Sequence, residues 1–152
     1  MTKPGFEKIQ HSDKYMFGPR KLLLCGFAAE AQPKFKSLLK MLGMDDLPVV
    51  WIPKEHSSEP IKDLVELPDG WGAFQSSTLP RTIIVSGISE NELHQLMTGC
   101  RRAGMKQALW AALTPTSIQW RLQQLLAELS AEHQALSANK TPGTKKPPIE
   151  AD

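Results

Sequence analysis

Cysteine is scarce in this chain. Cys25 and Cys100 are the two thiols in 152 residues, too few and too far apart for a disulfide framework or a zinc site. Charge of one sign is lacking too. The 18 Lys and Arg against 16 Asp and Glu leave a net +2, so no whole-surface field draws the protein to nucleic acid or membrane. No apolar run nears the roughly 20 residues that span a bilayer. The opening MTKPGFEKIQHSDKYMF lacks the apolar stretch of a secretion signal. Together these absences lead to the expectation of a reducing cytoplasm. Catalytic groupings are missing as well. His11, His56, His94 and His133 show no metal-binding spacing to one another or to either cysteine, and Glu90/Glu92 and Glu128/Glu132 fall on helix faces where charge meets water. Nothing implies a metal or a cofactor, and no nucleophile–base pair is legible, so the reading leans away from an enzyme.

What is present is a repeat. Pro19-Arg20 recurs as Pro80-Arg81, Gly26 as Gly87 and Gly43-Met44 as Gly104-Met105, sixty-one residues on each time. Leu22-Leu23-Leu24 matches Ile83-Ile84-Val85 across the same interval, Phe27 matches Ile88, and Phe35 matches Leu96. Each copy, 19–53 and 80–114, reads as an apolar strand, a glycine turn, an amphipathic helix, a capping glycine and a second apolar strand. The hydrophobic fraction of 41% is that of a globular chain. Polar, aperiodic residues 1–18 and the Pro/Gly/Lys-rich residues 138–152 are expected to be disordered tails around one domain, 19–137.

In the first copy, a helix opens near Pro33, buries Phe35, Leu38, Leu39 and Leu42, and ends at Gly43. A connector follows, with a short helix burying Ile61, Leu64 and Val65, a Pro68-Asp69-Gly70 turn, and Trp71 and Phe74 in a loop. In the second copy, Ser89-x-x-Glu92 is a capping box. The last helix is predicted to start around Thr114-Pro115-Thr116, with Thr116-x-x-Gln119 as another box. Its Ile118, Leu122, Leu125, Leu126, Leu129 and Leu136 lie within about a 100° arc.

Strands that are apolar at every position, alternating with helices, predict an α/β fold: a duplicated βαβ in a four-stranded, mainly parallel sheet, order 2-1-3-4, with helices on both faces. The alternative is a ferredoxin-like α+β sandwich with an extra C-terminal helix. In the first form the carboxyl ends of strands one and three meet at a switch point. Gly26, Gly87, Ser89, Thr114 and Thr116 would line it as a candidate site for a small anion, though glycine and serine there also serve plain turns and caps. Cys25, in a buried run, reads as a core thiol, and Cys100 takes the place of Leu39. Trp120 points away from the leucine stripe of the last helix. With Trp71 and Phe74 it forms a candidate contact surface, for a partner or for the rest of the domain. Trp51 and Trp110 belong to the outer strands, which disfavours base stacking and makes nucleic acid the weakest choice.

From Lys106 the text KQALWAALTPTSIQWRLQQLLAELSAEH, with Thr114, Thr116 and Trp120 as motif positions, resembles the ending of a bacterial family catalogued as domain of unknown function 3783. The preceding Ile83–Gly87 strand and its helix resemble it too, so the likeness runs over roughly residues 81–135. Members commonly have Asn where Ser117 stands. The resemblance implies a fold unit and no activity. The sequence therefore leads to a small non-enzymatic module that binds another protein or itself, with a small-ligand or anion sensor as the alternative.

Overall fold

The computed structural model describes residues 14–140. Most of the two expected tails, residues 1–13 and 141–152, lies outside the described residues. Strands β1 (Lys21–Cys25), β2 (Val49–Ile52), β3 (Thr82–Ser86) and β4 (Leu109–Ala112) form one sheet in the order β2-β1-β3-β4. Helices α1 (Gln32–Met41) and α3 (Glu90–Arg102) follow β1 and β3. The short α2 (Ile61–Leu64) lies in the connector, and α4 (Leu122–Lys140) closes the described chain.

The sheet is α/β and mainly parallel. β1 with β2, and β3 with β4, pair parallel, and the central β1–β3 contact is antiparallel. Two βαβ units are therefore joined back to back. Their registers agree across the sixty-one-residue interval: Leu22↔Val49 and Leu24↔Trp51 in one unit, Ile83↔Trp110 and Val85↔Ala112 in the other. Leu23 faces Ile84 at the centre, with Leu22↔Val85 and Leu24↔Ile83 on either side. That pairing pattern is two-fold about an axis through the sheet. Such an axis leaves the two crossover helices on one face, so α2 and α4 must cover the other.

Burial agrees. Leu22, Leu24, Ile83 and Val85 pack under α1 and α3 with Phe35, Leu39 and Leu96. Leu23, Cys25, Val50 and Ile84 pack under α2 and α4 with Ile61, Leu64, Leu122 and Leu126. A sheet buried on both faces needs apolar residues at every strand position, which is why the strands carry no polar alternation. Phe27, Phe35 and Trp51 meet edge-to-face, with centroids 5.3 to 6.2 Å apart. Lys21 donates to the carbonyls of Val65 and Leu67 at 2.6 and 2.5 Å, tying the connector to β1. Residues 69–72 cover the β2 edge: Gly70 N–H reaches the Val49 carbonyl, and Trp51 N–H the Trp71 carbonyl.

The described chain makes contacts outside the expected 19–137: Met16 N–H donates to the Ile88 carbonyl, Tyr15 bridges Ser89, and α4 runs to Lys140. One expectation is corrected: α4 does not open near Thr114. A 3-10 turn (Ser117–Gln119) comes first, then extended backbone at Trp120 (φ −82°, ψ 160°), and α4 starts at Leu122. The connector supplies the reason. Ile61 N–H bonds to the Trp120 carbonyl, while Leu122 and Gln123 N–H bond to Glu59 and Ser57 carbonyls, so 57–61 takes the groups a continuous helix would use.

Candidate functional site

The expected convergence of Gly26 with Gly87, Ser89, Thr114 and Thr116 does not form. Antiparallel pairing sets Cys25 opposite Thr82, so the carboxyl end of β1 lies at one edge of the sheet and that of β3 at the other. Gly87, Ser89, Thr114 and Thr116 stay on one edge; Gly26 is on the opposite one. The space over both glycines is filled by the chain itself. At φ +78° and +66°, a Cβ on Gly26 would lie 2.4 Å from the Leu79 carbonyl oxygen, and one on Gly87 2.4 Å from that of Gly18. The hydroxyls are engaged as well. Ser89 accepts from Glu92 N–H in the capping box foreseen from sequence. Thr114, not Thr116, caps the 3-10 turn: its hydroxyl accepts from Ser117 N–H at 2.9 Å, and its own N–H donates to the buried Ser117 hydroxyl. Thr116 is exposed and makes no side-chain cap.

The aromatic candidates separate. Trp120, off the helix, packs half-buried with Ile118 and Trp71 against the cluster under α2 and α4. Phe74 stands apart, 79% exposed. Its backbone has φ +72°, the one positive φ among non-glycine described residues. Buried Gln32 holds it there, accepting from Phe74 N–H and donating to the Gln75 carbonyl.

A different place emerges from comparing the two βαβ units. Arg20, ahead of β1, lies against Glu92 of α3 with two parallel 2.8 Å bonds, and 3.8 Å from Asp46. The hydrogen bond to Glu92 raises the Arg20 pKa, and the same bond holds the Glu92 carboxyl below its ordinary 4.5. Arg81 occupies the matching place ahead of β3. Sixty-one residues before Glu92 stands Ala31, and sixty-one after Asp46 stands Gln107. Arg81 thus has no carboxylate within ion-pair distance among the described residues. Its guanidinium carbon sits 4.0 Å above the centre of the Phe27 ring, its Nε donates to the Gly26 carbonyl at 3.3 Å, and burial pulls its pKa down.

Arg81 forms part of a cleft of about 420 Å³ between α3, β4 and the loop joining them. Phe27, Ile83 and Trp110 make its floor, Met97, Cys100 and Met105 its wall, with Arg101 and Lys106 also lining it. In the first unit the buried Leu47 and Val49 stand where Ala108 and Trp110 line the cleft here. The cleft offers positive charge beside an apolar floor, the composition of a site for an anion with an apolar body. It does not offer a nucleophile. Burial pushes the Cys25 thiol up to about 12 and the Cys100 thiol to about 11, so both are protonated at neutral pH. Cys100 is half-buried in the cleft wall, not sealed in the core as its match to Leu39 implied. Among the described residues no group of His, Cys, Asp and Glu could hold a metal, and no helix is long and apolar enough to cross a membrane.

Fold and cleft together describe a three-layer α/β module with a cleft beside Arg81. Residues 81–136, which include most of the cleft's lining, match the model of the family described as Domain of unknown function (DUF3783). The match agrees with the resemblance found over 81–135. No curated protein and no solved structure matches the chain. Sequence reasoning noted Arg20 and Arg81 as equivalent but missed the cleft. The available signal was the loss, across the same interval, of both carboxylates that Arg20 uses.

Proposed function

We propose that this chain is a non-enzymatic binding module, working in a reducing cytoplasm, whose cleft beside Arg81 takes up a small anion. This is the sensor reading of the sequence moved to a different place. One observation carries it: Arg81 is half-buried without a carboxylate, where its counterpart Arg20 has Glu92. A half-buried guanidinium without a counter-ion has lost part of its hydration, and an incoming anion would offset that loss. The free thiols Cys25 and Cys100 fit the compartment. The test is a thermal-shift screen of phosphate, sulfate and carboxylates, in which a binder raises the melting temperature by mass action. A rise seen in the wild type and absent in Arg81→Gln supports the reading; a screen flat for every anion removes it.

A second reading, binding to another protein or to a second copy, is favoured by Phe74. Exposed aromatic surface on strained backbone, clamped by a buried side chain, is a common dress for a contact residue. Light scattering across concentration should then show association that Phe74→Ala abolishes. A monomer at every concentration would remove self-association.

A further inference from the structure

Resting on that anion reading, we infer that the cleft's ligand is a carboxylic acid whose carboxylate is joined to a flat apolar body. Arg81 would grip the carboxylate as Arg20 grips Glu92. The argument begins with the donors that are left. Nε is engaged by the Gly26 carbonyl and one face of the guanidinium is covered by the Phe27 ring. What remains are the in-plane Nη N–H groups, which suit a planar acceptor with two oxygens. Arg20 shows this mode at the matching place, with both Nη atoms 2.8 Å from the two carboxylate oxygens of Glu92.

Charge limits the class further. Arg101 and Lys106 line the cleft but are exposed, whereas Arg81 is the half-buried cation within it. One half-buried positive charge matches a monoanion; the second charge of a phosphate dianion would fall to the exposed Arg101 and Lys106, where water screens the attraction. The floor limits the rest of the molecule. Phe27 and Ile83 offer nothing for the hydroxyls of a sugar, which would lose their water there without replacement. Half-buried Trp110 does offer a ring face, and the sulfur atoms of Met97 and Met105 adapt to a ring's edge. A volume of about 420 Å³ accommodates a bicyclic acid.

The test is calorimetric titration of the full chain with 2-naphthoate, 2-naphthamide, acetate and inorganic phosphate. Saturable binding of 2-naphthoate is expected, with the amide weaker by about tenfold or more, the effect of one charge-assisted contact. Acetate and phosphate should bind more weakly than the naphthoate. Equal binding of acid and amide would overturn both the carboxylate inference and the anion reading. Tight phosphate with no naphthoate binding would overturn the carboxylate class and leave the anion reading standing. No binding of any probe would overturn the inference.

Two variants guard against a merely structural Arg81. Arg81→Lys keeps the charge and loses the fork, so a folded variant should bind naphthoate at least about tenfold more weakly. Ala31→Glu places a carboxylate where the other unit has Glu92, and should raise thermal stability while blocking naphthoate. If a folded Ala31→Glu variant bound naphthoate as well as the wild type, the correspondence between the Arg20 and Arg81 sites would be wrong and the inference would fall.

Discussion

Glu92→Gln removes the charge from the two-bond contact between Glu92 and Arg20 and leaves its shape. The carboxylate has two duties: both oxygens hold Arg20, and Oε1 also accepts from Ser89 N–H at the start of α3. Glutamine can continue the capping box. It cannot continue the fork, since its NH2 would face an Arg20 donor. The loss is one charge-assisted bond and the attraction between the charges, roughly 1.5–3 kcal/mol for a contact of this kind. Side-chain exposures of 28% for Arg20 and 20% for Glu92 let water recover part of that, so we expect about 2 kcal/mol. For a domain of this size that lowers the melting temperature by about 6–10 °C. The pH dependence follows from direction. Because the Glu92 pKa is depressed in the folded state, its stabilisation is present above the ordinary value of 4.5 and is lost as pH falls through the lower folded value. Thermal unfolding followed by circular dichroism at pH 7 and at acid pH should show a wide gap between wild type and variant that narrows in acid. A gap under about 0.5 kcal/mol at neutral pH, the range of ordinary surface substitutions, would refute the reasoning. So would a gap that persists unchanged in acid.

Other consequences are equally open to measurement. Gly26→Ala and Gly87→Ala should each cost more than about 2 kcal/mol by chemical denaturation, because left-handed backbone and a backbone contact oppose any Cβ there. Tolerance of either would contradict the strand-end packing. The buried Ser86 hydroxyl has no hydrogen-bond partner, so Ser86→Ala should leave stability within about 0.5 kcal/mol or raise it. A loss above about 1.5 kcal/mol in the same assay would mean that the hydroxyl is satisfied.

Much of this architecture could be read from residues because burial on two faces leaves a plain mark. Leu22-Leu23-Leu24 and Ile83-Ile84-Val85 had to be central strands, and Gly43 and Gly104 had to end helices; their φ values are +76° and +71°. Strand direction left no such mark. A strand between two helix layers is apolar whichever way it runs, so Leu23 opposite Ile84 in antiparallel pairing was invisible, and with it the separation of Gly26 from Gly87. The start of α4 was hidden for another reason. Local spacing favours a helix from Thr114, but backbone groups of 57–61, distant in sequence, claim Trp120, Leu122 and Gln123 first. Trp120 therefore turned inward, and a helical wheel drawn from Thr114 gave it the wrong face. The cleft was legible only as a difference between two similar halves. Ala31 and Gln107 say nothing alone; set beside Glu92 and Asp46 they mark an arginine without partners.

The most direct measurement is a titration of the 15N-labelled protein with 2-naphthoate, observing the arginine side-chain Nε–H resonances. The resonance of Arg81 should move saturably with the ligand while that of Arg20, already held by Glu92, stays in place. An Arg81 signal that remains still at saturating ligand, or one that drifts together with the signals of Arg20 and the exposed arginines, would contradict the account.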